Sequence, residues 1–183
     1  MELSYFISNI ADELVAIDSG AVPFKSFKPG VGPYGEPQLI REIARRLNEK
    51  SECSGRVSTK RTPHLLIKGH WAMEFKIARP FGDNARQAEN WSVNLFHPYE
   101  GNASLMGDCL KLKRLELQER KAVAVIGYEH SPPQIHLEPL VRSFEILAKE
   151  IAGVNLGPRI HATRTGLAHP VHQQLSVFAW EVL

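Results

Sequence analysis

Glu74 and Lys76 stand two residues apart in the run Trp71-Ala72-Met73-Glu74-Phe75-Lys76-Ile77-Ala78. If that run is a strand, both charged side chains leave the same face of the sheet, because alternate residues share a face. A carboxylate and an ammonium embedded among Trp71, Met73, Phe75 and Ile77 are costly unless they pair with each other or bind a charged partner. A second carboxylate, Glu36, precedes Pro37 where an apolar-periodic stretch begins; there it either favours the positive end of a helix dipole or faces a ligand. Just downstream, residues 41–61 hold seven bases (Arg41, Arg45, Arg46, Lys50, Arg56, Lys60, Arg61) against three acids (Glu42, Glu49, Glu52). That local excess suits a polyanion, or equally a solvated helix face.

The elements that position these groups follow from hydrophobic period. Leu3, Phe6, Ile10, Leu14 and Ile17 predict a helix over 3–17. Residues 21–36, with Pro23, Pro29, Gly30, Gly32, Pro33 and Gly35, read as a loop. Pro37 suits the first position of a second helix, whose buried stripe is Leu39, Ile40, Ile43 and Leu47, with Arg41, Arg45 and Arg46 mostly off it. Strands are expected at 56–60, 65–67 and, after Gly69, 71–78. Ser104 suits an N-cap for a helix through Leu105, Met106, Leu110 and Leu112. The continuous apolar run 122–127 reads as a strand buried on both faces. Leu137, Leu140, Val141, Phe144, Leu147 and Ile151 predict an amphipathic helix, and residues 160–183 one or two further strands, including Leu175–Val182. No internal repeat or linker interrupts the chain, so residues 1–183 read as a single α/β domain, a mixed central sheet flanked by helices.

In this order and context, the charged residues resemble the PD-(D/E)XK nuclease superfamily, the restriction-endonuclease-like fold. Tyr34-Gly35-Glu36-Pro37-Gln38-Leu39-Ile40 is similar to the family's helix motif, Pro63-His64-Leu65-Leu66-Ile67 stands in the PD slot, and Glu74-Phe75-Lys76 matches the E-x-K. The resemblance covers about residues 34–128 and implies an αβββαβ core, with the helix 3–17 and a helix-and-strand extension 137–183 added to it. It further implies a divalent cation, Mg2+ or Mn2+, held by Glu36, His64 and Glu74, with Glu36, Glu74 and Lys76 as catalytic residues. The implied reaction is hydrolysis of phosphodiester bonds in DNA, branched or damaged DNA included, or secondarily RNA. Arg41, Arg45, Arg46, Arg56, Lys60 and Arg61 would contact phosphates.

His64 departs from the family, which has Asp in that slot, and no Asp or Glu occurs from Cys53 to Met73. Imidazole suits manganese, iron, nickel or zinc better than magnesium. Two readings follow: an endonuclease-like hydrolase that selects a transition metal, or a catalytically inactive nuclease-fold module that binds nucleic acid or protein. Register bears on the first. A two-residue turn at Gly69-His70 sets His64 opposite Phe75, on the wrong face; a three-residue turn at Gly69-His70-Trp71, or a bulge, sets it opposite Lys76.

Composition narrows the remaining classes. With 183 residues, 22 Lys+Arg against 20 Asp+Glu and 43% hydrophobic residues, the chain has the make-up of an ordinary soluble domain. No apolar run approaches the ~20 residues of a spanning helix, and the first 20 residues hold four acids and no base, unlike a secretory signal. Cys53 and Cys109 form no zinc or disulfide pattern, so a cytoplasmic location is expected.

Weaker signals remain. Asp83, Asn84, Glu89, Asn90 and Trp91 follow the E-x-K closely enough to rim its site, Trp91 as a stacking ring or as buried area. Asp108, Lys111, Glu129 and His130 read as structural or solvated, and Glu42 as an ion-pair partner of neighbouring arginines. His169-Pro170-Val171-His172 has the i, i+3 spacing of a metal pair but lacks a third ligand. Leu175, Val177, Phe178, Ala179 and Trp180 are apolar on alternate faces, which suits a strand pairing with a second copy or a protein partner.

Overall fold

Strands buried on both faces, Trp71–Ala78 along its whole length and Arg120–Glu129 from Ala122 onward, set the architecture, because each needs cover on both sides. The computed structural model describes residues 1–97 and 104–183. Its elements are α1 (Leu3–Ser19), α2 (Glu36–Glu49), β1 (Val57–Thr59), β2 (Leu65–Ile67), β3 (Trp71–Ala78), α3 (Val93–Phe96), α4 (Leu105–Arg114), β4 (Arg120–Glu129), α5 (Glu138–Glu150), β5 (Ile160–Thr165) and β6 (Gln174–Glu181). They form one α/β domain around a six-stranded mixed sheet of order β1-β2-β3-β4-β6-β5, in which β3 and β4 alone run parallel. Between β3 and β4 the chain crosses over through α3 and α4, as a parallel pair requires.

Alternation along β3 divides the core. Met73, Phe75 and Ile77 join the apolar layer beneath α1 and α2, with Phe6, Ile10, Leu14, Leu39 and Ile43. The other face of the sheet, with Ala78, Val123 and Val125, packs against Leu105 and Leu112 of α4 and Val141 and Phe144 of α5. Glu74 and Lys76 therefore emerge on the α4 side, among apolar residues, a costly place to set two charges. At the α4 start, Ser104 Oγ accepts a hydrogen bond from the Gly107 N–H, satisfying one of the free amides of the first turn.

The β2–β3 hairpin differs from both expected turns. Leu65 pairs with Met73 and Ile67 with Trp71, so the loop is Lys68-Gly69-His70. Gly69 takes φ +76°, a left-handed conformation that costs glycine little. Continuing the register by one residue sets His64 opposite Glu74 rather than opposite Phe75 or Lys76. Parity is kept, so the imidazole lies on the Glu74/Lys76 face.

The C-terminal strand corrects a second expectation. β6 lies inside the sheet, bonded to β4 on one edge and β5 on the other. Both its edges are occupied, so it offers nothing to a second copy or protein partner, and its apolar residues on both faces are explained by helices and loops covering each side. The single-turn α3 was not expected; four residues are too few to show a period. Among the described residues, no helix is long and apolar enough to cross a membrane.

Candidate functional site

Glu36 opens α2, after an extended Gly35 and ahead of Pro37, so its carboxylate belongs to the first turn and faces the positive end of the helix. His64 is reached just after a cis Thr62–Pro63 peptide bond. These two approach Glu74 and Lys76 at the point where the short β2 ends and stops covering β3. His64 Nδ1 lies 2.8 Å from Glu74 Oε2 and 3.6 Å from Glu36 Oε1, and Lys76 Nζ lies 3.7 Å from Glu36 Oε1.

α4 adds a residue that sequence reasoning set aside as structural or solvated. Asp108 is buried, with Oδ2 2.7 Å from Lys76 Nζ, and its Oδ1 accepts from Lys111 Nζ at 2.8 Å. Lys76 also donates to the Phe75 carbonyl at 3.2 Å. The signal was present: Asp108 falls three residues after Leu105 and four before Leu112, on the buried stripe of α4, where an acid needs a partner. Five charged or titratable side chains from three elements and the loop ahead of β2 thus meet, and Lys76 joins the two acids Glu36 and Asp108.

Glu74 is the unusual member. It is 1% exposed, and apart from the His64 ring neither of its carboxylate oxygens meets a hydrogen-bond donor. The contact with His64 is short enough for a charge-assisted bond, but the same Nδ1 stands 3.2 Å from the Phe75 N–H and accepts from it. One ring nitrogen serves one of these partners at a time. Protonated, it donates to Glu74; deprotonated, it accepts from Phe75 and leaves two lone-pair atoms facing each other at 2.8 Å.

Electrostatics favour the proton. Burial lowers the His64 pKa, but the hydrogen bond and charge of Glu74, with the charge of Glu36, outweigh it and the net shift is upward. Glu36 is also raised, chiefly by burial and further by Asp108 and Glu74, against the lowering effect of Lys76 and His64. The cluster gathers three carboxylates, Glu36, Glu74 and Asp108, around Lys76, Lys111 and the His64 ring. Among the described residues, no group of three His, Cys, Asp or Glu side chains is arranged as it stands to hold a metal ion. Donor chemistry nevertheless suits one, since Glu74 Oε1 lacks a donor and Oε2 meets only His64, with a further carboxylate adjoining them.

A cleft of about 410 Å³ opens beside the cluster, walled by Glu36, Ile40, Arg41, Lys60, Arg61 and His64. Three of the six basic residues expected to meet phosphates, Arg41, Lys60 and Arg61, therefore line the approach. Arg56 is exposed at the foot of β1. Arg45 and Arg46 depart from the expectation: Arg45 pairs with Glu42 and Glu49, and Arg46 with Glu42 and Glu13. Spacings of three and four on one helix face neutralise these charges within the protein itself.

His169 of the His169/His172 pair is accounted for without a metal. His169 Nε2 meets Asp83 Oδ1 at 2.8 Å while its Nδ1 accepts from the Val171 and His172 amides, so both ring nitrogens are occupied.

Comparisons with family models, curated proteins and solved structures returned no match. The functional reading therefore rests on this chain's own residues.

Proposed function

We propose that the protein is a divalent-metal-dependent phosphodiester hydrolase acting on DNA, a PD-(D/E)XK nuclease in which histidine replaces the usual aspartate. The observation that carries this reading is Glu74: a carboxylate 1% exposed, with no donor to Oε1 and only the His64 imidazole against Oε2, beside a cation-lined cleft. A buried, unsatisfied carboxylate is costly, and ligation removes the cost. Glu74, His64 and Glu36 would hold the ion, with Glu36, partly exposed at its helix end, swinging in to complete the set. Such an ion neutralises a phosphoryl oxygen and lowers the pKa of bound water.

The chain's own groups do the rest. Lys76, held by Asp108 and the Phe75 carbonyl, presents a fixed positive charge against the charge that builds on phosphorus. Arg41, Lys60 and Arg61 take flanking phosphates and supply affinity without reading sequence. His64, a nitrogen donor, biases the site toward Mn2+ over Mg2+. A cytoplasmic location belongs to the same proposal, resting on two buried cysteines that remain free.

Cleavage of plasmid and branched DNA with Mn2+ tests the reading: it should proceed in the wild type and vanish in Glu74→Ala and Lys76→Ala. No cleavage with Mn2+, Mg2+, Ni2+ or Zn2+ overturns it. One observation favours the second reading, a non-catalytic nucleic-acid-binding module. The 2.7 Å Lys76–Asp108 pair already neutralises the lysine that the hydrolase would use. That module predicts salt-sensitive DNA binding that survives Glu74→Ala.

A further inference from the structure

Beyond the C-terminal end of β3 a second cleft, of about 390 Å³, lies on the far side of the segment that leads into Glu36. Its volume is in the range of ~300–1,000 Å³ usual for small-ligand sites. Arg79 is its charged wall. The Nη1 of this half-buried guanidinium donates to the Gly32 carbonyl at 2.8 Å and the Tyr34 carbonyl at 3.3 Å. Its Nε and Nη2 have no protein acceptor, and no carboxylate pairs with it, among the described residues. An Arg left without a counter-ion at a cavity wall is a standing offer to an anion, and its planar fork matches phosphate.

Aromatic rings supply the remaining walls. Trp91, half-buried, and Phe27, 41% exposed, face the cleft with Phe81. Phe27 ends a stack, parallel to Phe24 with centroids 6.4 Å apart, and Phe24 in turn lies 4.6 Å from Tyr34. The acids nearby do not cancel Arg79. Asp83 is engaged by His169 Nε2 and the Lys28 amide, and Glu89 sits exposed on the rim beside Asn90, placed to accept from an amino group.

We infer that this cleft binds a nucleotide, its phosphate on the Arg79 guanidinium and its base against Trp91. The ligand is either an unpaired nucleotide of a DNA strand or a free mononucleotide. The site uses none of the residues of the Glu74 cluster, and Arg79 links the two places mechanically by clamping the loop two residues ahead of Glu36. Burial, which lowers the Arg79 pKa, adds to the same demand for a bound anion.

Tryptophan fluorescence tests the inference, because Trp71 and Trp180 are buried and Trp91 is not. All titrations are run in EDTA, so a failed metal cluster has no bearing on them. Thymidine 5′-monophosphate should quench saturably and thymidine, lacking the phosphate, at least about tenfold more weakly, with inorganic phosphate competing. Trp91→Ala and Arg79→Gln, followed by calorimetry, should each weaken binding by about tenfold, the scale of one stacked base or one charged fork. Should Arg79→Gln fail to fold, Trp91→Ala, outside the fully buried core, carries the test alone. A short oligothymidylate that saturates well below the mononucleotide identifies a strand as the source; equal affinity identifies the free nucleotide. The inference is overturned if neither probe gives saturable binding at millimolar concentration, or if the variants bind as tightly as the wild type.

Discussion

His64 and His172 are two imidazoles set near the same strand, β3, and their surroundings move their protons in opposite directions. For both, burial disfavours the charged form. At His64, Glu74 and Glu36 outweigh it and the pKa rises. At His172 burial acts first, opposed by the hydrogen bond to the Phe81 carbonyl, with Arg79 lowering the pKa further against Asp83, and it falls to about 4. His172 is 2% exposed and the His64 side chain 23%, so burial weighs more on His172, while the carboxylates beside His64 reverse its effect there. Around His64 buried carboxylates dominate, and around His172 stands an Arg79 guanidinium that no carboxylate pairs, which is why a metal is proposed for the first and a phosphate for the second.

The largest effect expected from breaking this contrast is on catalysis. Glu74→Ala should reduce Mn2+-dependent DNA cleavage to the level of a protein-free control, and Lys76→Ala should lower it by about 10²- to 10³-fold, as loss of a transition-state charge does. Next in size is Asp108→Ala, which leaves Lys76 buried beside a lost partner. Chemical denaturation should show a loss of about 3–5 kcal/mol, with much of it recovered in the Asp108→Ala/Lys76→Met double variant. If the single variant is as stable as the wild type, Lys76 is not held by Asp108.

The pH responses of the two histidines sharpen the comparison. His172 stays neutral in the fold while the unfolded chain takes up a proton below its ordinary value of 6.5. Stability should therefore fall as pH drops from 6.5 toward 4, by at most about 3 kcal/mol, and His172→Gln should flatten that slope in thermal melts. His64 carries the opposite sign. Its raised pKa gives a contribution that is complete below 6.5 and is lost as pH rises through the folded value, and raised Glu36 acts in the same direction from 4.5 upward. A bound cation displaces those protons. Mn2+ at a few tens of times its Kd should stabilise the protein by about 2 kcal/mol, more at pH 8 than at pH 6, with that pH difference reduced in His64→Ala.

The smallest effect separates the free from the paired bases. Arg45→Ala should change stability by less than about 0.5 kcal/mol and leave DNA affinity unchanged in a filter or anisotropy assay. Arg41→Ala and Lys60→Ala, in the cleft, should weaken DNA binding and each reduce its salt dependence by about one unit of slope. Equal effects from Arg45 and Arg41 would remove the cleft from the binding surface.

Much of the frame was legible in the sequence because its cues are local. Period 3.6 marked α1, α2 and α5, period 2 and unbroken apolarity marked β3 and β4, Ser104 marked the start of α4, and the i, i+2 spacing of Glu74 and Lys76 placed both on one face whatever lay around them. Asp108 was harder to read. Its place on an apolar helix stripe flagged a need for a partner, but nothing within a few residues named Lys76, which lies 32 positions away in the chain.

What the sequence by itself determined is which side chains share a face, since that follows from backbone geometry over three or four residues. Only the tertiary structure decided which faces meet. It set His64 against Glu74 through a three-residue loop, placed β6 inside the sheet where its apolar residues are covered rather than free to pair, and assigned Arg45 and Arg46 to internal acids while leaving Arg41 to the cleft. These outcomes depend on register and on crossover connections between segments far apart in the chain. Their stabilisation appears only when the whole sheet and its helices are assembled, so no local pattern encodes them.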